Sequence, residues 1–364
     1  MRIHLGHHFY GAGNLGDDFM LAGFLAALRT RAPLANFTCC VPFPLEPLRL
    51  RFPIVTWLPC DESTRARCIA DCDVWLGLGG SPFQHALSRW FIDHLISEAG
   101  LCRAAGKPMF FLGIGVQTTT ELGDRDVARV CAQASAIWTR DDASAERLSA
   151  LSSHPAVDAS RDLAHIFFKE SPPPTATAGR LTLVANFDYH GWSGQTAFVR
   201  AARQFPRQIS ERVWLAQESR ELPGAERALY DALGTEEQAA WRLAVPDLLP
   251  TPAPSLAETL NRWPSGEWLV TSRYHAALAG AWAGSKIAII ATNEKLRAAA
   301  RELACPVLSP SADESTVIET LLAADVPPLS RSAATSVAAD RAYGACDAFI
   351  RAARSAVAPG RGTP

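Results

Sequence analysis

Short apolar runs alternate with longer stretches of helical periodicity along the first half of the chain. The apolar runs have the length of buried strands and lie at residues 3–8, 37–41, 54–58, 74–78, 108–114 and 136–139. The intervening stretches, which are amphipathic or rich in alanine, include residues 17–29, 87–105 and 142–149. Because strands that alternate with helices form right-handed βαβ units, this pattern predicts a mainly parallel sheet.

A proline-rich segment, residues 171–179, interrupts the alternation. We expect it to be an interdomain linker, since it can neither continue a helix nor pair as a central strand. The alternation then resumes, with strands expected at 180–186, 212–216, 243–246, 268–272 and 287–291, helices at 225–233 and 255–261, and a helical tail at 332–357. We therefore predict an α/β protein with two Rossmann-like domains, 1–170 and 180–330, whose mainly parallel sheets face a central cleft. Residues 331–364 are expected to pack back on the N-terminal domain.

Length and composition agree with a two-domain globular protein. The 364 residues exceed what one hydrophobic core covers, and the net charge of −2 gives no reason to expect nucleic acid as a partner. The nine cysteines lack the paired C-x-x-C spacing of a zinc site, so we expect reduced thiols and no metal. No apolar run approaches the roughly 20 residues of a membrane span. The amino terminus also lacks the apolar core of a signal peptide, and we expect a cytoplasmic protein.

The junction at residues 268–278 is the strongest candidate for a functional site. A short apolar strand there runs directly into a helix, and Ser272, Arg273 and His275 stand at the turn between them. Open α/β sheets bind ligands at the carboxyl ends of their strands, where the following helix presents backbone N–H groups and a partial positive charge. A permanent cation and a titratable imidazole at such a place predict an anionic substrate that requires proton transfer.

The glycine-rich segment 11–18, with sequence GAGNLGDD, follows the first strand and contains a formal G-x-G-x-x-G. A dinucleotide site would need an acidic residue about 20 positions further on, at the end of the second strand. That strand is followed by no carboxylate before Glu46, so nicotinamide binding is disfavoured. A glycine turn in which Asn14 and Asp17 only cap the helix stays open as an alternative.

Three further strand ends carry similar turns. Gly79-Gly80-Ser81 follows the run 74–78 and has the composition of an anion-binding nest of backbone amides, Gly113-x-Gly115 repeats the design, and Arg140 follows the run 136–139. Because the carboxyl ends of parallel strands meet at one edge of a sheet, we expect these turns to lie along one edge of the first sheet together with Asn14. The arginine and histidine of the 268–278 junction would then face them from the second domain.

In order and spacing, these motifs resemble the polysaccharide pyruvyl transferases, bacterial and fungal enzymes that attach a pyruvate ketal to a sugar using phosphoenolpyruvate. The matching features, over roughly residues 5–310, are Gly11-x-Gly13-Asn14-x-Gly16-Asp17-Asp18, Gly79-Gly80-Ser81, Gly113-x-Gly115, Arg140-Asp141-x-x-Ser144 and Ser272-Arg273-x-His275-Ala276. The chain departs from the family pattern at Gln117, where a proline is frequent, and at Tyr274, where an aliphatic residue is commoner. The resemblance implies a two-lobed, GT-B-like fold and a transferase activity.

The resemblance also implies how phosphoenolpyruvate would be used. Arg140 and Arg273 would hold its carboxylate and phosphate by bidentate contacts, and His275 would transfer the proton needed at its methylene carbon. A bound dianion would favour protonated His275, against the opposite effect of the helix amino end. The residues expected to bind substrate are Gly13, Asn14, Asp17, Gly79, Gly80, Ser81, Gly115, Ser272 and Lys295.

Phosphoenolpyruvate would be a co-substrate, and the resemblance implies no metal and no separate cofactor. The partner would be a saccharide acceptor of a cell-surface glycan or its precursor, with peripheral contact at most to membrane-bound precursors. Two other functions stay open. A GT-B glycosyltransferase with a nucleotide-sugar donor would need a carboxylate in the second domain to bind the donor ribose, for which Glu294 is the candidate. A family member that has lost catalysis and only binds glycans would have no use for the titratable His275.

Overall fold

The computed structural model describes residues 1–84, 89–117, 120–152, 156–187, 191–206, 208–253, 255–324 and 328–357. The chain divides into two compact units. Unit 1 comprises Met1–Gly11, Phe19–Phe167 and Ala338–Pro364, and unit 2 comprises Ala12–Asp18 and Phe168–Val337. None of the helices in these ranges has the length and apolar character needed to cross a membrane.

Unit 1 is built on a seven-stranded sheet in which every paired strand is parallel. Its strands are β1 (Arg2–Leu5), β2 (Asn36–Val41), β3 (Val55–Pro59), β4 (Val74–Leu78), β5 (Met109–Ile114), β6 (Ala134–Thr139) and β7 (Val157–Ala159). The helices of this part of the chain are α1 (Leu15–Arg31), α2 (Leu45–Arg51), α3 (Glu62–Asp71), α4 (Trp90–Ala104), α5 (Glu121–Cys131), α6 (Asp142–Leu151) and α7 (Ala164–Glu170). The strand order is β3-β2-β1-β4-β5-β6-β7, so the winding direction reverses between β1 and β4.

Unit 2 repeats this architecture with a six-stranded parallel sheet. Its strands are β8 (Thr177–Val184), β9 (Glu211–Leu215), β10 (Arg242–Ala244), β11 (Gly266–Thr271), β12 (Lys286–Ile290) and β13 (Val307–Leu308). Its helices are α8 (Gln195–Gln204), α9 (Glu226–Asp231), α10 (Thr235–Ala240), α11 (Leu256–Asn261), α12 (Tyr274–Ala283), α13 (Glu294–Glu302) and α14 (Glu314–Ala323), and α15 (Pro328–Val357) ends the described chain. The order β10-β9-β8-β11-β12-β13 reverses between β8 and β11, as in other doubly wound sheets.

The hydrophobic cores explain why the central strands are continuously apolar. Every residue of β4 and of β5 is buried, which is typical of strands that helices cover on both faces. Trp75 and Phe111 belong to the core of unit 1, and Trp214 and Trp268 belong to that of unit 2. The predicted α/β class with mainly parallel sheets is therefore confirmed.

Several boundaries differ from the predicted ones, among them the end of the linker 171–179, since the central strand β8 begins at Thr177. The first strand ends at Leu5 rather than at residue 8, and His7 Nδ1 lies 3.0 Å from the Leu78 carbonyl oxygen, so its ring is tied to β4. The edge strands β7 and β13 were not predicted, because three and two residues are too short to show a period. The first two residues of the predicted helix 87–105 and the last seven of the tail 331–364 lie outside the described residues.

The segment Ala12–Asp18 groups with unit 2, although the predicted division placed it in domain 1–170. Backbone hydrogen bonds account for this grouping: Leu15 N–H donates to Gln217 O at 3.3 Å, and Ser219 N–H donates to Gly13 O at 2.9 Å. Asn14 and Glu218 also form an antiparallel bridge. At the other end of the chain, α15 belongs to unit 2 up to Val337 and to unit 1 from Ala338 onward.

Candidate active site

The reversal point of the second sheet is held together by hydroxyl groups from the end of β11. Ser272 Oγ donates to the Asn186 carbonyl oxygen and accepts from the Asn186 N–H, both at 2.7 Å. Thr271 Oγ1 donates to Val184 O at 2.9 Å. These bonds fix the carboxyl ends of β8 and β11 side by side, where doubly wound sheets bind ligands. Ser272 therefore orders the turn that carries Arg273 and His275.

Arg273 is the N-cap residue of α12 and forms a bidentate ion pair with Glu226. Its Nε lies 2.6 Å from Glu226 Oε1 and its Nη2 lies 3.2 Å from Oε2. Glu226, the first residue of α9, has no exposed surface, and 15% of the Arg273 side chain is exposed. Glu226 is not identifiable from the sequence, because no local pattern shows which cation a buried carboxylate will meet. The pair fixes one edge of the guanidinium.

His275, in the first turn of α12, is buried against the glycine-rich segment. A β-carbon on Gly16 would lie 2.1 Å from His275 Nδ1, a separation that real atoms do not show. Only a glycine at position 16 therefore lets the start of α1 approach the imidazole this closely. Gly13 has a similar surrounding, since a β-carbon there would lie 2.7 Å from Ser219 Oγ. The glycine spacing thus allows segment 12–18 to pack closely against Ser219 and His275.

Asn14 organises the segment from within. Its Oδ1 accepts from the Gly16 N–H and from Gln217 Nε2, both at 3.2 Å, and its Nδ2 donates to Asp17 Oδ2 at 3.0 Å. The Asp17 N–H donates to Asn14 O at 3.1 Å. This is the capping arrangement that the sequence left open as an alternative, extended by a side-chain bond that orients the Asp17 carboxyl.

The Asp17 carboxyl lies in an acidic environment. Burial, followed by the charges of Asp18 and Glu218, raises its pKa to about 7, and Lys295 and Arg273 oppose the increase. Glu218 is itself buried and pairs with Arg220, whose Nε lies 2.7 Å from Oε1. A carboxyl with such a pKa is divided between its protonated and ionised forms near neutral pH, as acid–base catalysis requires.

Lys295, at the start of α13, completes the cluster in unit 2. Its Nζ lies 5.7 Å from the centroid of the Tyr274 ring, within the range of a cation–π contact. It is half-buried and acts electrostatically on Asp17. We refer to Asp17, His275 and Lys295, which these contacts and that of Gly16 with His275 connect, as the polar cluster of unit 2.

Arg140 organises a second group of predicted residues, in unit 1. Only 1% of its side chain is exposed; Nη1 donates to Gly80 O at 3.1 Å and Nη2 donates to Ser81 Oγ at 2.8 Å. A β-carbon on Gly115 would lie 2.3 Å from Nη2, so this glycine makes room for the guanidinium. The structure thus brings together the turns after β4, β5 and β6, as expected for neighbouring parallel strands.

The backbone amides of these turns do not form the anion-binding nest that the sequence suggested. Gly79 N–H donates to Leu112 O at 2.8 Å, Gly80 N–H donates to Met20 Sδ at 3.2 Å, and Gly115 N–H donates to Gly80 O at 2.8 Å. Because these three donors are engaged within the protein, contact between this loop and a substrate stays a prediction.

The predicted site residues fall into two groups, one in each unit. Asn14 groups with Arg273 and His275 in unit 2, because segment 12–18 bonds to residues 217–219. Unit 2 contains Gly13, Asn14, Asp17, Ser272, Arg273, His275 and Lys295, and unit 1 contains Gly79, Gly80, Ser81, Gly115 and Arg140. Within the described ranges, no three His, Cys, Asp or Glu side chains are grouped as metal ligands.

Comparisons with solved structures show the fold. The chain is similar to HepE of Anabaena in complex with UDP-glucose, at a TM-score of 0.62 and 10% identity, covering 98% of this chain and 99% of the other. A glycosyltransferase from Rickettsia africae gives a TM-score of 0.61 and 9% identity, with 99% of each chain covered. A UDP-N-acetylglucosamine 2-epimerase from Rickettsia bellii gives 0.61 and 10% identity, covering 98% and 96%. The fold is thus that of the GT-B enzymes.

A search of curated proteins finds no match to this chain. The family model described as polysaccharide pyruvyl transferase matches residues 14–166, a range that begins at Asn14 and includes the Gly79–Ser81 loop and Arg140. The resemblance inferred from the motifs is thereby confirmed over residues 14–166, where this chain matches the polysaccharide pyruvyl transferase family, and the motif at 272–276 lies outside the matched range.

Proposed function

We propose that this protein transfers a pyruvate ketal from phosphoenolpyruvate to two hydroxyls of a saccharide, in the assembly of a cell-surface glycan or its precursor. The observation that carries the proposal is the cluster of Asp17, His275 and Lys295 at the reversal point of the second sheet. The family match over residues 14–166 supports the same reaction. We further propose that the enzyme works in the cytoplasm and meets membrane-bound precursors only peripherally.

The reaction defines what the site must supply. The methylene carbon C3 of phosphoenolpyruvate gains a proton, and C2 becomes oxocarbenium-like and bonds to the first hydroxyl oxygen. The C2–O bond to phosphate then breaks, and the second hydroxyl closes the ketal. One hydroxyl proton balances the proton gained at C3, and the other leaves with phosphate. The site therefore needs cations for the anionic donor, one acid and one base.

The residues of unit 2 provide these groups. Lys295 and Arg273 would bind the carboxylate and phosphate, and the ion pair with Glu226 would keep the Arg273 plane fixed. His275 would protonate C3. In unit 1, Arg140 would act through the Gly79–Ser81 loop, which its guanidinium fixes by two hydrogen bonds.

Release of phosphate from phosphoenolpyruvate in the presence of a panel of saccharides, followed by mass spectrometry of the acceptor, tests this proposal. We expect phosphate release that depends on one class of acceptor, with the product heavier by a pyruvate ketal. His275→Ala should reduce turnover by about 10²–10⁴-fold, the usual contribution of a general acid. Near-normal turnover of His275→Ala at saturating phosphoenolpyruvate would contradict the role of His275.

A nucleotide-sugar transferase is the second candidate, because the similar HepE structure holds UDP-glucose. The carboxylate predicted to bind the donor ribose, Glu294, pairs with Arg301 at 2.7 Å on the exposed side of α13. That ion pair competes with a ribose contact. In the same panel, release of UDP from UDP-sugars without release of phosphate from phosphoenolpyruvate would favour this candidate. Saccharide binding without turnover of either donor would favour a glycan-binding protein.

A further inference from the structure

We propose that Asp17 is a second proton-transfer group of the site and accepts the proton of the attacking saccharide hydroxyl while His275 protonates C3. The inference deepens the proposed function and rests on it. Asp17 lies at the start of α1, and the sequence predicts only substrate binding for it. Three observations in unit 2 support it: where Asp17 lies, how its carboxyl is held, and which charges surround it.

The position of Asp17 is set by the close approach of Gly16 to His275. Because a β-carbon on Gly16 would lie 2.1 Å from His275 Nδ1, the next residue along the chain begins directly beside the imidazole. Hydrogen bonds between segment 12–18 and residues Gln217 and Ser219 fix this backbone to the loop that follows β9. The backbone that carries Asp17 is therefore held against the imidazole of His275 through Gly16, the residue before it.

The carboxyl of Asp17 is oriented as well as positioned. Asn14 Nδ2 donates to Asp17 Oδ2 at 3.0 Å, and Asn14 is held in turn by Gln217 Nε2. This bond to Oδ2 restricts rotation of the carboxyl group. Catalytic bases are typically supported in this way, by a neighbour that limits their rotation.

The surrounding charges determine when Asp17 can accept a proton. Asp18 and Glu218 disfavour its ionised form, while Lys295 and Arg273 favour it. Arg220 pairs with Glu218, and Glu226 pairs with Arg273, so both effects are partly offset. With burial as the largest cause, the pKa is raised to about 7. Asp17 is then a stronger base than an ordinary carboxylate and is still largely ionised slightly above neutral pH.

The proton balance of the step is complete. The O–H bond of the first hydroxyl breaks, its proton passes to a carboxylate oxygen of Asp17, and the oxygen electron pair forms the bond to C2. His275 gives its proton to C3 as the C2–C3 double bond becomes single. Asp17 then loses its proton to solvent and His275 regains one, so the enzyme is restored without an oxidant, a reductant or another reactant.

Asp17→Asn tests the assignment, because an amide preserves the shape of the side chain and can still accept from Asn14 Nδ2. We expect the variant to bind phosphoenolpyruvate but to lose turnover by about 10²–10⁴-fold. The wild-type kcat/KM should rise with pH along an acidic limb with a midpoint near 7, and the residual activity of Asp17→Asn should lack this limb. Asp17→Glu should recover part of the activity together with the limb.

Two further variants separate catalysis from structure. Glu218→Gln removes a charge that raises the Asp17 pKa. The acidic limb in the pH profile of kcat/KM for this variant should therefore move to lower pH. Asp142→Asn is the matched control, because Asp142 also lies in the first turn of a helix but its side chain is 63% exposed and outside the cluster. Its pH profile should be that of the wild type. A limb that Glu218→Gln leaves unmoved, or that Asp142→Asn moves equally, would contradict the assignment.

A direct titration separates this proposal from the proposed function. In protein labelled with ¹³C at aspartate carboxyls, the signal that Asp17→Asn removes should titrate near pH 7, and a midpoint near 4 would overturn the assignment. If the wild type releases no phosphate from phosphoenolpyruvate, the proposed function fails, and with it the reaction assigned to Asp17. If the wild type releases phosphate and Asp17→Asn retains both turnover and the acidic limb, only the assignment of Asp17 fails.

Discussion

The third glycine of the 11–16 turn has no room for a side chain. Gly16→Ala would place a methyl group 2.1 Å from His275 Nδ1, so either the imidazole or segment 12–18 must move. Displacement of a catalytic group by about 1 Å costs on the order of 10²-fold in rate. We therefore expect Gly16→Ala to lose activity to about this extent, measured as kcat for phosphate release.

Gly100 provides the control for that substitution. It lies in α4, and a β-carbon there would meet no atom within 4 Å. Gly100→Ala should keep full activity and gain about 0.5–1 kcal/mol of unfolding free energy, since alanine loses less backbone entropy in a helix. If Gly16→Ala and Gly100→Ala had the same activity, the close packing against His275 would have no functional role.

Asp17 also links stability to pH. Its pKa is about 7 in the native state and about 4 in an unfolded chain, so the native state binds more protons between these values. Ionisation of Asp17 therefore lowers the free energy of unfolding. This loss is absent below pH 4, grows as the pH rises from 4 to 7, and is complete above pH 7. Asp17→Asn should therefore match the wild type in unfolding free energy near pH 4 and exceed it at pH 8. Urea unfolding at both values measures this, and a difference that did not change with pH would contradict it.

At the level of elements, the start of α15 is tied to the ends of other helices by one buried arginine. Arg331 is 2% exposed and donates to the carbonyl oxygens of Ser285, Leu303 and Ala324. These residues lie at or just after the ends of α12, α13 and α14. A guanidinium satisfies carbonyls that helix ends leave without an intrahelical donor.

Arg331→Ala should lower the unfolding free energy by about 2–4 kcal/mol, because buried carbonyls lose charged donors. Arg341→Ala, at an exposed position of the same helix, should change it by less than about 0.5 kcal/mol. Thermal unfolding of both variants beside the wild type measures this. Equal unfolding free energies of the two variants would show that the hydrogen bonds of Arg331 do not stabilise the packing of α15.

Contacts between neighbouring strands can be predicted from the sequence, and long-range ion pairs cannot. The meeting of Arg140 with Gly80 and Gly115 could be predicted, since β4, β5 and β6 are parallel neighbours and their carboxyl ends share an edge. The pairing of Arg273 with Glu226 could not, because apolar periodicity indicates that a helix follows β9 but not which cation its first carboxylate meets. Long-range polar partners are chosen by packing, which local patterns do not encode.

The boundary between the two units likewise depends on long-range hydrogen bonds that local sequence patterns do not encode. Segment 12–18 follows a strand of the first sheet, and by sequence position it was assigned to that domain. Its hydrogen bonds run instead to Gln217 and Ser219. The motif Gly11–Asp18 thus packs against the turn at 272–275 through Gly16 and His275, although about 255 residues separate the two along the chain.

At the scale of the whole molecule, two parallel sheets of the same winding order each reverse direction beside a group of predicted site residues. The chain has the GT-B fold and matches the pyruvyl transferase family over residues 14–166. The proposed donor carries a carboxylate and a phosphate and no nucleotide. Binding of the donor is therefore the property that separates the proposed enzyme from the nucleotide-sugar enzymes that share its fold.

The most direct test is the dissociation constant of phosphoenolpyruvate, measured by isothermal titration calorimetry without an acceptor. We expect the wild type to bind phosphoenolpyruvate more tightly than UDP, and Lys295→Met to weaken binding by about 10–100-fold, the contribution of a charge-assisted hydrogen bond. Arg297→Met, two residues further along α13 and exposed, should bind like the wild type. Tight binding of UDP with no measurable binding of phosphoenolpyruvate, or equal affinity of the wild type and Lys295→Met, would contradict the account.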